Sequence, residues 1–175
     1  MTLLSGNTIR AVCWSDGKTI FPMLPRVSPV QKCPECGRYY LEYKLPESCG
    51  EDCSFELGNM NYDEWKEAYM QFLNEDVDNI YDTGFDKNDW DIIRLKLIHA
   101  YNDRYSERGD PEEKAPKEEF DFIVGIIDDY IREHDWSKEK NPLLKAELYR
   151  ESGRFKECRW AMQSIDEDDL DINGR

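Results

Sequence analysis

Two pairs of closely spaced cysteines constrain the fold more than any other feature of this chain. Cys33 and Cys36 have C-x-x-C spacing, and the second pair, Cys49 and Cys53, has one residue more between its members. The first spacing lets one tight turn direct two sulfurs at one ion, and Gly37 can bend the chain after it without steric cost. Zn²⁺ prefers four soft ligands in a tetrahedron, which thiolates supply. We therefore predict one zinc ion held by Cys33, Cys36, Cys49 and Cys53.

The Cys-Pro-x-Cys-Gly motif at residues 33–37, followed by a second cysteine pair, resembles the zinc-ribbon family. The resemblance covers about residues 30–57. The second pair departs from the family pattern by one residue, which Gly50 could accommodate. Four cysteine ligands leave no open position for a catalytic water, so we expect the zinc to be structural.

The alternative for six cysteines is a disulfide framework, because their number is even. Residues 1–14 contain no long apolar run, so we expect no secretory signal and a cytoplasmic location. Paired cysteines in a reducing compartment favour metal over disulfides. Structural Zn²⁺ is therefore the favoured interpretation and the one expected cofactor.

Short strands are expected around the cysteines. The hairpin-turn signal Asp16-Gly17 separates two runs rich in β-branched and aromatic residues, at 8–14 and 18–21. Between the cysteine pairs, one face of a strand is indicated by the alternation of Tyr39, Leu41 and Tyr43. We therefore predict a domain at residues 1–57 that contains a β hairpin and the zinc ribbon.

From about residue 58 the hydrophobic period changes from two residues to 3.6, which predicts a helical domain at 58–175. Asn61 and Glu64 have capping-box spacing at the first helix. Further helices are expected at about 88–106, 117–134, 141–153 and 154–165, followed by an acidic tail at 166–171. The inward residues of the last helix are predicted to be Phe155, Cys158, Met162 and Ile165.

The segment Ala146-x-x-Tyr149-x-x-x-Gly153-x-Phe155-x-x-Cys158 resembles half of a tetratricopeptide repeat. In that family a glycine makes the turn between two packed helices, and Cys158 stands where alanine is usual. Only one unit matches well, so the resemblance implies tetratricopeptide-like hairpins and not an array. The expected fold is mainly α, with a small N-terminal β ribbon and about five antiparallel helices. The combination resembles small uncharacterised bacterial proteins, which implies no particular activity.

The net charge of −15 is unevenly distributed. Residues 1–58 carry six basic and seven acidic side chains, whereas the rest of the chain carries 17 basic and 31 acidic ones. An acidic surface repels phosphates, which disfavours nucleic acid as a partner of the helical half. No apolar run reaches the length of a membrane span, so no membrane contact is expected. We instead expect a protein partner with a basic segment, which would contact Tyr101 and Tyr105 beside Asn102-Asp103-Arg104.

No glycine-rich phosphate loop, nucleophile elbow or H-E-x-x-H motif is present, and His99 is expected in the core. We therefore predict no enzyme and no catalytic residue. The favoured function is a zinc-binding adaptor between proteins. The alternative is a nucleic-acid-associated ribbon that stacks bases near Arg38 and Lys44. An enzyme that uses carboxylates is the least favoured hypothesis.

Overall fold

The computed structural model describes residues 12, 13, 15, 18–20, 28–41, 60–78, 85–107, 116–139 and 141–165. Of residues 12, 13, 19, 20, 75–78 and 104–107 it describes the backbone alone. This part of the chain is mainly helical, as predicted, and adds two small antiparallel sheets. Its elements are β1 (Val12–Cys13), β2 (Thr19–Ile20), β3 (Val30–Lys32), β4 (Tyr39–Leu41), α1 (Tyr62–Asp78), α2 (Lys87–Glu107), α3 (Lys117–Glu133), α4 (Leu144–Glu151) and α5 (Phe155–Gln163).

The chain divides into two compact units. The first unit contains the residues up to Leu24 and those from Glu112 onward, and therefore combines β1–β2 with α3, α4 and α5. The second unit is Pro25–Pro111 and combines β3–β4 with α1 and α2. The expected domain boundary at residue 57 falls inside the second unit, in a stretch outside the described residues.

Each sheet is a two-stranded hairpin. In the first, Val12 pairs with Ile20 and Cys13 with Thr19. Of the strands expected at 8–14 and 18–21, the described residues thus confirm 12–13 and 19–20, whereas Lys18 is not part of a strand. In the second, β3 pairs with β4 from Val30 opposite Leu41 to Lys32 opposite Tyr39. Tyr39 and Leu41 are both buried, which confirms two members of the expected strand face. The third member, Tyr43, lies outside the described residues.

The second unit has an aromatic core between α1 and α2. Tyr62 meets Tyr101 edge-on with ring centroids 5.5 Å apart, and Tyr69 meets Trp90 in the same way at 6.0 Å. Such pairs add roughly 0.5–1.5 kcal/mol beyond the area they bury. Large apolar side chains therefore account for the packing of these two helices.

The two helices described in this unit, α1 and α2, each begin with a reciprocal capping box. The Glu64 amide donates to Asn61 Oδ1 over 3.0 Å, and the Asn61 amide donates to Glu64 Oε2 over 2.8 Å, as the spacing predicts. Asp86 and Asp89 make the same exchange at the start of α2, with an aspartate in the position usually held by glutamate. The second box explains why α2 begins at Lys87.

In the first unit, α4 packs against both α3 and α5. Helix α4 begins at Leu144 and not at the Asn141-Pro142 start expected from the sequence, because Asn141 caps a preceding turn by accepting a bond from the Leu143 amide. The turn between α4 and α5 contains Gly153 at φ 74°. The Gly153 amide bonds the carbonyl of Arg150 and the Arg154 amide that of Tyr149, which is the pattern of a Schellman motif.

The predicted inward face of α5 is wrong. Phe155 is 65% exposed and Met162 46% exposed, while Cys158 and Ile165 are half-buried. The buried residue of this helix is Ala161. Periodicity identifies residues that share a helix face, but it does not show whether another element covers that face.

Candidate metal centre

The first cysteine pair lies at the tip of the β3–β4 hairpin. The Cys33 amide donates to the carbonyl oxygen of Arg38 over 2.8 Å, directly beyond the last strand pair. The Gly37 amide donates to the carbonyl oxygen of Cys33 over 2.9 Å, and Gly37 has φ 72°. A residue with a Cβ is disfavoured at this φ, so glycine is needed where the loop returns to β4. The expected tight turn is therefore present at this pair.

The two thiols have different environments that both suit a metal ligand. Cys33 is buried and Cys36 is exposed, and neither forms a disulfide. The Tyr40 hydroxyl lies 3.6 Å from Cys36 Sγ. A tyrosine hydroxyl at this place can donate to a metal-bound sulfur, and outer-shell bonds of this kind orient metal ligands. The chemistry of this half of the site therefore fits zinc.

Helix α1 holds the hairpin through Gln71. The Tyr39 amide donates to Gln71 Oε1 over 2.9 Å, and Gln71 Nε2 donates to the Tyr39 carbonyl over 3.0 Å. The side-chain amide thus occupies the place of a further strand, since it satisfies both backbone groups on the edge of β4. This bidentate contact fixes the strand that follows the cysteine loop.

A second contact joins the same elements through charge. The Tyr39 hydroxyl donates to Glu67 Oε2 over 2.7 Å, and Lys32 Nζ lies 3.3 Å from the same oxygen. Burial and the bond to Glu67 raise the pKa of the Tyr39 hydroxyl, whereas the bonds from Tyr39 and Lys32 lower the pKa of Glu67. Lys32 also lies over the Tyr39 ring, 4.8 Å from its centroid. These bonds hold β3 and β4 against α1.

The second cysteine pair, Cys49 and Cys53, lies outside the described residues. Within the part of the chain that is described, no three His, Cys, Asp or Glu side chains form a group that could hold a metal. The structure thus places Cys33 and Cys36 in one tight turn at the tip of the β3–β4 hairpin, and the four-cysteine site remains a prediction.

Two further residues singled out in the sequence, His99 and Tyr101, are part of the core of α2. His99 is buried in α2, as expected. Tyr101 is only 8% exposed and packs on Tyr62, so it is a core residue and not an anchor for a partner. The side chains of Arg104 and Tyr105, and all of Lys44, lie outside the description.

A cleft in the first unit was not anticipated from the sequence. It has a volume of about 220 Å³ and is lined by Trp136, Glu139, Asn141, Pro142, Lys145, Ala161, Ser164 and Ile165. Lys145 Nζ lies 4.8 Å from the centroid of the Trp136 ring, and Glu139 Oε2 lies 3.1 Å from His134 Nε2. These residues come from the loop between α3 and α4, from α4, from α5 and from the two residues after α5. Because the residues that line the cleft are spread from Trp136 to Ile165, no local sequence motif identifies it.

No helix in the described residues is long and apolar enough to cross a membrane. Comparison of the chain with protein-family models, with curated proteins and with solved structures found no match.

Proposed function

We propose that this chain is a cytoplasmic adaptor that binds another protein, and that it is not an enzyme. In this proposal a structural zinc ion holds the cysteine ribbon through Cys33, Cys36, Cys49 and Cys53. The helices of the first unit form tetratricopeptide-like hairpins that present the contact surfaces. The thiol pair at the β3–β4 loop and the α4–α5 hairpin with its glycine turn support these two parts of the proposal.

The observation that carries the adaptor function is an exposed acidic stripe on α3. Its residues are three or four positions apart and lie on the side of the helix opposite the buried Ile123 and Ile127. We define the α3 stripe as Glu118, Asp121, Gly125, Asp128 and Arg132, all of which are exposed. The whole of Lys117–Glu133 has six acidic and two basic side chains. A stripe of this charge attracts a basic segment of a partner.

Gly125 supports a close contact at the centre of the α3 stripe. A β-carbon at this position would have no atom within 4 Å. Glycine costs about 1 kcal/mol relative to alanine inside a helix, and no crowding within the described structure requires it here. A partner that packs directly on the backbone of α3 would explain the glycine, because a side chain at position 125 would then obstruct the contact.

The ion pairs of α3 show which acidic side chains of the α3 stripe are already paired with a cation of the chain. Arg154 Nη1 lies 2.6 Å from Asp128 Oδ1, and Arg132 pairs with Asp129 and Glu133. Glu118 and Asp121 take part in no ion pair within the described residues. A basic partner segment would therefore be attracted most strongly to the first half of the stripe.

The test compares partner capture from native cell extract by wild-type protein and by a variant with Glu118→Lys and Asp121→Lys. We expect the variant to lose the partner at about 0.1 M salt, because the attraction changes sign. Asp63→Lys is the matched control, since Asp63 is also an exposed acid in the first turn of a helix. At about 0.5 M salt, screening should release the partner from the wild-type protein as well.

Two results would remove the proposal. One is a partner that the charge-reversed variant and the wild-type protein retain equally at both salt concentrations. The other is capture of no protein partner by the zinc-containing chain. Capture of nucleic acid in place of protein would favour the alternative of a nucleic-acid-associated ribbon.

A further inference from the structure

Helix α5 exposes three large apolar side chains within nine residues. Phe155 is 65% exposed, Trp160 67% and Met162 46%. A helix face that is in contact with water is usually polar. The outer face of α5 is not polar in this way, although α4 packs against its other side.

The exposed residues lie on one broad face of the helix. Phe155 and Met162 are seven residues apart and therefore share one edge of that face. Trp160 lies about 140° around the helix from Phe155 and forms the other edge. Lys156 and Arg159, both exposed, lie between the two edges. We call Phe155, Lys156, Arg159, Trp160 and Met162 the α5 face.

The charge of the α5 face is opposite to that of the whole chain. Residues 154–163 contain three basic side chains and one acidic one, in a protein with a net charge of −15. Arg154 is paired with Asp128, but no ion pair within the described residues includes Lys156 or Arg159. The apolar edges of this face thus enclose two cations for which the described residues provide no ion pair.

This charge decides between the possible occupants of the face. A second copy that packed α5 against α5 would bring Lys156 and Arg159 of one chain against the same cations of the other, which is unfavourable. An acidic segment would instead complement the cations, and its apolar residues would cover Phe155, Trp160 and Met162. A helix presents apolar residues at i, i+4 and i+7 on one side, so one side of a partner helix can cover the apolar edges of the α5 face while carboxylates beside it reach Lys156 and Arg159.

We propose that the α5 face binds an acidic amphipathic helix of a partner protein, whose apolar residues pack on Phe155, Trp160 and Met162 and whose carboxylates pair with Lys156 and Arg159. This surface differs from the α3 stripe in its residues and in the sign of its charge. The adaptor would then bind a basic segment at α3 and an acidic helix at α5. Either contact can be present without the other.

The probe is a dye-labelled synthetic peptide of about five helical turns, with leucine at i, i+4 and i+7 spacing and glutamate on its other positions. A second peptide has lysine in place of every glutamate. Binding of each peptide to the full zinc-containing chain is measured by fluorescence anisotropy. We expect the glutamate peptide to bind at the α5 face. The lysine peptide should bind at another surface, so its affinity should not fall when residues of the α5 face are changed.

Three single variants change the α5 face: Phe155→Ala, Trp160→Ala and Arg159→Glu. Each should weaken the glutamate peptide by about tenfold or more, since exposed aromatic and arginine side chains are the usual centres of such contacts. Met70→Ala is the matched control, because Met70 is an exposed apolar residue of α1 in the other unit. It should leave the affinity unchanged. All these side chains are exposed, and circular dichroism checks that each variant keeps its helices.

The pair Glu118→Lys and Asp121→Lys separates this inference from the α3 proposal. It should leave the binding of the glutamate peptide intact while it removes the basic partner. The α5 proposal is overturned if the glutamate peptide does not bind, or if the three α5 variants bind it as tightly as the wild-type protein. A wild-type dimer that Trp160→Ala dissociates would also overturn it, because a second copy would then occupy the face.

Discussion

Gly153 and Gly125 have opposite effects on the stability of the same unit. Gly153 is the left-handed residue of the Schellman turn after α4, at φ 74°. Gly125 is inside α3, where a β-carbon would have open space around it. The turn at Gly153 could be predicted from the spacing of Ala146, Tyr149 and Gly153. The openness around Gly125 could not, because it depends on which elements fail to cover α3.

We predict that Gly153→Val lowers the free energy of unfolding by more than about 1 kcal/mol, since a β-branched residue fits a left-handed conformation badly. Gly125→Ala should instead raise it by about 0.5–1 kcal/mol. Urea unfolding followed by circular dichroism measures both. Equal midpoints for Gly153→Val and the wild-type protein would show that the α4–α5 turn is wrongly assigned.

At the scale of elements, local signals predicted the helices better than the strands. The capping box of Asn61 and Glu64 and the 3.6-residue periodicity are properties of neighbouring residues, and they located α1 correctly. The strand β3, from Val30 to Lys32, was not predicted because three residues after Pro29 have no periodic pattern. Its place depends on pairing with β4, which in turn depends on contacts with α1.

The contact between Gln71 and Tyr39 gives the prediction at this scale. Gln71→Leu removes the partners of the Tyr39 amide and carbonyl, and an unsatisfied half-buried backbone group costs roughly 1–3 kcal/mol. We expect destabilisation of that size and a lower zinc affinity, because the cysteine loop is continuous with β4. Gln163→Leu, at an exposed position of α5, is the control. Zinc affinity that stays the same in Gln71→Leu would show that α1 does not position the cysteine loop.

At the scale of the whole molecule, the mainly helical fold was predictable, but the grouping of its elements was not. The N-terminal hairpin belongs to the unit of α3, α4 and α5, where Asn141 Nδ2 donates to the carbonyl oxygen of Ser15 over 3.1 Å. The two residues of that bond are 126 positions apart. No local pattern in the sequence reports such a contact. The exposure of α5 was missed for the same reason, since it depends on the lack of a covering element among the described residues.

The central structural claim of the account is the zinc ribbon, which rests on the most specific motif of the sequence, Cys-Pro-x-Cys-Gly followed by a second cysteine pair. The structure supports the first half of the site through the loop between Cys33 and Arg38 and the hydroxyl of Tyr40 beside Cys36. Zinc bound by four thiolates would contribute on the order of 10 kcal/mol to folding. Loss of the metal should therefore unfold the ribbon and lower the melting temperature of the unit that contains it.

The most direct measurement is the metal content of protein purified without added metal, by elemental analysis and native mass spectrometry. We predict one zinc per chain in the wild-type protein and in Cys158→Ser, whose changed thiol lies on α5. The double variant with Cys36→Ser and Cys53→Ser should contain none. A wild-type chain without zinc, or a double variant that retains its zinc undiminished, would contradict the four-cysteine site.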